Sequence, residues 1–287
     1  MPAFDTVVFP VAGRGTRLLP LTKSVPKELL PVFDKPVLQF AIEEAIAAGA
    51  SRLVFVTHPS KTAIGNYVAP DTELHDVLAE GGKDQLVKAL DEITLGQNIE
   101  VVFVDQHEPL GLGHAVLMAA EHVTGEAFGV VLPDDVILGT PALPEMAQSY
   151  TGGHMIAAME VAPEDVSKYG IFRPVSADSI GTVVRATELV EKPAQQDAPS
   201  RMAAVGRYLL DSRIFDALRR LEPGAGGEYQ LTDAIAADAA DLPLSGFRFR
   251  GARFDCGSHA GLLRAANARA AEVEGASREA VGALAAE

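Results

Sequence analysis

Residues 6–17 read Thr6-Val7-Val8-Phe9-Pro10-Val11-Ala12-Gly13-Arg14-Gly15-Thr16-Arg17, an apolar run that empties into a turn carrying two glycines and two arginines. A strand that delivers the chain into such a turn is the opening of a βαβ unit. Working outward, similar apolar stretches recur at Leu53 to Thr57, Val101 to Val104 and Val130 to Leu132, with helical patterns between them. The clearest helix follows Pro36, sets Leu38, Ile42 and Ala45 at helical spacing and has Gly49 placed to end it; a second lies near Gly113 to His122. The alternation predicts an α/β fold: a doubly wound, mostly parallel, Rossmann-like mixed sheet flanked by helices, with right-handed crossovers. Ligands of such sheets sit beyond the carboxyl ends of the strands, where residues 11–17 lie.

After about Gly152 the pattern loosens. Ile156 to Val161, Gly181 to Val190 and Ala203 to Leu210 read as strands that extend the same sheet, and a helix is expected around Arg213 to Leu221. Glu222 to Gly227 is a turn, and Ala265 to Glu287 is an alanine-rich helix or a frayed tail. The expected organisation is a single domain over 1–267, divided near 150 into two halves, followed by a helical tail over 268–287.

Composition narrows the classes of partner. With 287 residues, 48% of them hydrophobic, the chain can bury a large core. Its formal net charge of −15 argues against nucleic acid as a partner, because displacing phosphate counterions needs a basic face. No run approaches eighteen apolar residues and no signal peptide opens the chain, so a cytoplasmic protein without a membrane span is expected. Cys256 is the only cysteine and reads as a small buried residue. In so acidic a chain, the few cations beside glycine turns are the informative ones.

The turn at Ala12 to Arg17 is a candidate phosphate site. Its successive N–H groups can line an oxyanion while Arg17 and Lys27 neutralise it. The third glycine of a dinucleotide fingerprint is replaced by Leu18, which counts against a nicotinamide dehydrogenase, and a Walker loop is absent. Read alone, the glycines fit a solvated turn equally well. Gly13-x-Gly15-Thr16-Arg17, Pro26-Lys27-Glu28-Leu29-Leu30-Pro31 and Lys35-Pro36 together resemble the signature of the sugar-phosphate nucleotidylyltransferases of the GT-A-like nucleotidyltransferase type. Lys35 to Gln39 looks like the wording of the bacterial UTP-glucose-1-phosphate uridylyltransferase branch. The resemblance continues in family order through Gln106, Gly111 to Ala115, Leu132 to Asp135, Tyr169-Gly170, Val190 to Pro193, Val205 to Tyr208, Gly227 to Asp233 and Phe254 to Gly257. Residues around Pro70 to Gln97 and those after Asn267 are unmatched.

The resemblance implies that UTP and glucose 1-phosphate are converted to UDP-glucose and pyrophosphate, and that the half before about 150 holds the nucleotide and the half after it the sugar phosphate. It implies Mg²⁺ on Asp134 and Asp255, in keeping with the preference of that ion for carboxylates and substrate phosphates. Arg17 and Lys27 then serve the triphosphate, Lys192 the sugar phosphate and Glu191 the sugar hydroxyls. Ala12, Gly13, Gly15, Thr16, Gln106, Gly111 and Gly113 belong to the nucleotide end, and Gly170 and Gly206 to the hexose end. Pro193 is expected to drive Lys192 to an extended conformation that projects its side chain. His114 is given no catalytic role and is expected to cap or pack at its helix. Related uridylyltransferases form dimers or tetramers, so a homodimer or homotetramer is implied. The alternatives left open are a thymidylyl-, cytidylyl- or adenylyltransferase and a non-catalytic sugar-nucleotide sensor. The presence of Arg17, Lys27, Asp134, Lys192 and Asp255 together favours catalysis.

Overall fold

The structure, a computed structural model, describes residues 3–176, 181–224 and 227–284. The first half runs β1 (Thr6–Pro10), a hairpin of β2 (Pro31–Val32) and β3 (Lys35–Pro36), α1 (Val37–Ala47) and β4 (Arg52–Thr57). It continues with α2 (Thr62–Val68), α3 (Thr72–Glu80), α4 (Asp84–Ile93), β5 (Glu100–Asp105), α5 (Leu112–Met118) and β6 (Ala127–Val131). Next come β7 (Asp135–Leu138), α6 (Ala142–Ser149), β8 (His154–Glu160), β9 (Gly170–Pro174) and β10 (Val183–Glu191). The chain closes with β11 (Met202–Asp211), α7 (Ile214–Arg220), α8 (Leu231–Asp238), β12 (Leu244–Arg248), β13 (Ala252–Asp255) and α9 (His259–Leu284).

A nine-stranded sheet in the order β5-β4-β1-β6-β11-β8-β12-β10-β9 forms the centre. Its first four strands are mutually parallel. β1, β4 and β6 read as continuously apolar because helices cover both of their faces, whereas β5, at the sheet edge, is only partly buried. β11 is antiparallel to both β6 and β8, β12 returns parallel to β8, and β10 is antiparallel to β12 and β9, so the sheet is mixed and its second half extends the first. In register across β1, β4 and β5, the Phe9 and Phe55 rings stack at 4.8 Å and Phe55 and Phe103 at 5.3 Å.

One face of the sheet is packed by Leu38, Ile42, Ile64, Leu143 and Met146 from α1, α2 and α6. The other is packed by Val116, Ile214, Phe215, Leu231 and Ile235 from α5, α7 and α8. Burial of these faces, at about 25 cal/mol per Å² of apolar surface, is the main force that holds the layers together. Outside the layers, β7 pairs with β13, and Val32, Val136, Cys256 and Ala265 make a small core beneath α9. α9 starts ahead of the tail expected from Ala265, and position 267 falls within it. Residues 225 and 226 of the expected Glu222 to Gly227 turn, and residues 285–287 of the tail, lie outside the described residues. Among the described residues no helix is long and apolar enough to cross a membrane.

Candidate active site

The carboxyl ends of β1, β4 and β5 form one rim. Val11 N donates to Val56 O at 2.8 Å and Gln106 N to Thr57 O at 2.7 Å, so the segment from Val11 and the side chain of Gln106 begin side by side on it. Ala12 follows Val11 on this rim. A side chain added at Gly13 would meet nothing within 4 Å, which leaves that backbone open to an incoming group. Thr22 Oγ1 donates to Gly15 O at 2.8 Å and closes the turn ahead of the short 3₁₀ segment Thr16–Leu18 that carries Arg17. Behind the turn, Lys61 Nζ donates to Val11 O at 2.6 Å and to Glu28 Oε2 at 2.9 Å, tying the end of β1 to the Lys27–Leu29 segment.

Asp134 and Asp135 follow β6. Lys27 Nζ donates to Asp134 Oδ2 at 2.6 Å. Burial is the largest single influence and pushes the Asp134 carboxyl up, but the Lys27 ammonium, joined by a backbone hydrogen bond and the Arg17 charge, holds the group below the usual aspartate range. Burial, the largest single influence, pulls the Lys27 ammonium down, but Asp134 and Glu28 together outweigh it and raise it. The pair is therefore carboxylate and ammonium at neutral pH. Asp135 faces inward: its Oδ2 accepts from Gly206 N at 2.7 Å, and its Oδ1 accepts from Arg253 Nε at 2.8 Å and from Arg253 Nη2. A Cβ on Gly206 would lie 2.7 Å from Leu132 Cβ and 2.8 Å from Asp135 Oδ2, so only glycine lets β11 approach this turn.

At the far end, Thr232 Oγ1 donates to Glu191 Oε2 at 2.9 Å, and Gly170 lies beside both. Lys192 Nζ is 2.9 Å from Glu191 Oε1, and Lys192 N donates to Tyr169 O. The extended backbone expected before Pro193 is not found. Lys192 has φ 43°, in the left-handed region, because its N–H is drawn to Tyr169 O as the chain leaves β10. Such a conformation at a non-glycine residue costs on the order of 1–3 kcal/mol and persists where the surroundings impose it, commonly at functional sites.

Arg17, Asp134, Gly170, Glu191, Lys192, Gly206 and Asp255 all line a single cavity of about 510 Å³. Asp255 ends β13, opposite Asp135 on β7, and Cys256 N donates to Asp134 O at 2.7 Å, which brings the two carboxylates to the same edge. Cys256 registers the charge of all three aspartates: burial first, and then Asp134, Asp255 and Asp135, push its thiol up to about 12. It is not a nucleophile at neutral pH. Among the described residues no group of three or more His, Cys, Asp or Glu side chains is arranged to hold a metal ion. Lys27 is not a lining residue but is paired with Asp134, which is. Ala12, Gly13, Gly15, Thr16, Gln106, Gly111 and Gly113 are not among the residues lining the cavity; they stand in the turn after β1, in the turn after β5 and in the first turn of α5.

Residues 8–272 match the model of the family described as nucleotidyl transferase. The chain belongs to the nucleotidyl transferase family. It is 41% identical to a UTP-glucose-1-phosphate uridylyltransferase of Bacillus subtilis over 90% of this chain and 86% of that one. Its structure is similar to that of a UDP-glucose pyrophosphorylase complexed with UDP-glucose, with TM-score 0.82 and 36% identity over 94% of this chain and 99% of that one. It also resembles a UTP-bound enzyme of the same kind from Acinetobacter baumannii, with TM-score 0.85 and 35% identity, each chain covered to 94%.

In this nucleotidyl transferase several site residues escape sequence reasoning. Arg253 bridges Asp135 and the Tyr169 hydroxyl, which accepts from its Nη1 at 3.0 Å. The signal was present: Arg253 stands two residues before Asp255 on a strand, hence on the same face. Gly111 has φ 95°, and a Cβ there would lie 2.9 Å from both Glu228 Cβ and Tyr229 O, so the glycine turn is shaped to receive residues 228 and 229. Tyr229 N donates to Leu110 O and Gly113 N to Tyr229 O, both at 2.8 Å. These contacts join the turn after β5 to the cavity, which Leu112 and Glu228 also line.

Proposed function

We propose that this nucleotidyl transferase is a UTP-glucose-1-phosphate uridylyltransferase. The single observation that carries the reading is that Arg17, Lys192, Asp134 and Asp255 share one cavity, so cations and paired carboxylates meet where two anionic substrates would. The names and bound nucleotides of its relatives support uridine as the nucleoside and glucose as the sugar. In the reaction a phosphate oxygen of glucose 1-phosphate bonds to the α-phosphorus of UTP. The bond from that phosphorus to its bridging oxygen breaks, and pyrophosphate leaves with the electron pair. The attacking oxygen is ionised near neutral pH, so no general base is needed.

The chain's task is to hold two mutually repelling anions in line. Arg17 and Lys27 take the triphosphate, with the turn over Ala12, Gly13, Gly15 and Thr16 approaching it by its backbone. Gln106, Gly111 and Gly113 take the base. Lys192 takes the sugar phosphate, and Glu191, held by Thr232, takes the hexose hydroxyls beside Gly170 and Gly206. Asp134 and Asp255 fit Mg²⁺, a hard cation that commonly uses one or two carboxylates plus substrate phosphates. When bound, Mg²⁺ supplies Lewis-acid screening of phosphate oxygens. With this reading go the cytoplasm as compartment and a homodimer or homotetramer as assembly.

Purified protein with Mg²⁺, glucose 1-phosphate and each nucleoside triphosphate in turn tests the reading through pyrophosphate release and identification of the sugar nucleotide. UTP is expected to give UDP-glucose. Release with dTTP, CTP or ATP but not with UTP rejects the uridylyl assignment. Arg17→Ala is expected to lower kcat/KM about a hundredfold, the effect of losing one positioned charge donor worth ~2.7 kcal/mol. Near-native turnover in that variant removes Arg17 from the site. Lys192→Ala is expected to raise KM for glucose 1-phosphate about tenfold or more, as for loss of a charged hydrogen bond worth ~1.5 kcal/mol. An effect confined to UTP contradicts its assignment.

A further inference from the structure

Gln106 is nearly buried, and its amide is held from two sides. Its Nε2 lies 2.8 Å from His114 Nδ1 and 3.5 Å from Gly111 O. A carbonyl only accepts, so the amide edge turned toward Gly111 O is the NH₂ group; the opposite orientation would set two carbonyl oxygens against each other. With the NH₂ group on that side, His114 Nδ1 must be the lone-pair nitrogen that accepts, which fixes the ring as the Nε2–H tautomer. Burial pulls the imidazole below the ordinary histidine range, against the upward effect of Glu108, and so keeps the Nδ1 lone pair available at neutral pH.

Neither partner is loosely placed. The Gln106 backbone is anchored by its hydrogen bond to Thr57 O at 2.7 Å. His114 stands in the first turn of α5, whose Gly113 N is tied to Tyr229 O, and its ring faces the Tyr229 ring with centroids 6.2 Å apart. Among the described residues no protein group is bonded to Gln106 Oε1, so the amide presents an acceptor outward.

We propose that His114 is a positioning residue that locks the Gln106 amide with its oxygen outward, and that this orientation selects uracil over cytosine. The inference rests on the uridylyl reading and deepens it. Uracil carries an N3–H donor between two carbonyls, which an outward oxygen accepts. Cytosine presents a lone pair at N3 beside an amino group, and its N3 would meet the oxygen lone pair to lone pair. A site built around one hydrogen-bond pattern rejects the opposite pattern because buried groups are left unpaired. Thymine shares the N3–H edge of uracil, so His114 does not separate UTP from dTTP.

Steady-state kinetics of His114→Leu and His114→Asn with UTP and CTP test this. Leucine removes the acceptor, whereas the asparagine side chain can offer an oxygen near the position of Nδ1. His114→Leu is expected to raise KM for UTP about tenfold, with kcat and KM for glucose 1-phosphate little changed. Its ratio of kcat/KM for UTP over CTP is expected to fall about tenfold or more, and His114→Asn is expected to retain most of that ratio. An unchanged ratio in His114→Leu, or equal loss of selectivity in both variants, overturns the proposal. A wild-type protein that releases no pyrophosphate from UTP overturns the uridylyl reading and this inference with it, a result the control yields before any variant is compared.

Discussion

Asp134→Asn is expected to lower kcat about a thousandfold, a loss of ~4 kcal/mol of transition-state stabilisation. The substitution keeps the shape of the side chain and removes its charge. The turn itself is held by backbone, through Cys256 N to Asp134 O and Asp135 N to Leu132 O, so the fold around residue 134 is retained. What changes is electrostatic. Lys27 Nζ, 2.6 Å from Asp134 Oδ2, loses the partner that offsets its burial, and the cavity loses one of the two carboxylates assigned to Mg²⁺. The variant is therefore expected to combine low turnover with a flat response to added Mg²⁺. Turnover and metal titration both matching wild type would reject Asp134 as a ligand.

The parts of the fold legible in the sequence are those where burial on both faces leaves no alternative. β1, β4 and β6 appear as unbroken apolar runs because polar residues have no place in a strand covered by helices on both sides. The helix after Pro36 was legible from its periodicity and from Gly49, whose φ of 98° ends it. The second half was only partly legible. β9 and β12 are short and follow no crossover pattern, and β7 and β13 are four-residue partners separated by more than a hundred residues, a pairing local patterning cannot express. α3 and α4 bury none of their residues, although Leu86, Val87, Leu90 and Ile93 stand at helical spacing in α4, so their apolar positions do not mark a part of the core.

For the site, residues at strand ends were legible and their supports were not. Asp134, Glu191 and Lys192 stand where strands finish, the place ligands occupy in open α/β sheets. Lys61 with Glu28, Thr232 with Glu191, Arg253 with Asp135 and His114 with Gln106 are pairs made by folding, between residue types common on any surface. Their function lies in whom they touch. Lys192 shows the limit from the other side: the local preference before proline was read correctly as a rule, and the hydrogen bond to Tyr169 O overrode it.

Arg207→Met is expected to destabilise the protein by about 3–5 kcal/mol, the cost of leaving a buried charge without its partner. Arg207 is fully buried in β11. Its Nε donates to Glu44 Oε2 at 2.9 Å, and Nη2 lies 2.8 Å from the same oxygen but off the line required for a hydrogen bond. Its Nη1 donates at 3.0 Å to Leu132 O and to Gly206 O, while Glu44 Oε1 accepts from Leu143 N at 2.8 Å. One guanidinium thus links α1, α6 and the turn that carries Asp134. Methionine of similar length fills the space and leaves the Glu44 carboxylate and the Leu132 carbonyl short of donors. Thermal unfolding is expected to fall by roughly 10 °C for a chain of this size. Replacing both partners, as Glu44→Leu with Arg207→Met, removes the stranded charge and is expected to recover most of the loss, because a buried ion pair contributes little over well-packed apolar groups. A single variant that unfolds within about 0.5 kcal/mol of wild type, the range of ordinary surface changes, would mean that water reaches Glu44 and that the pair is not the link described.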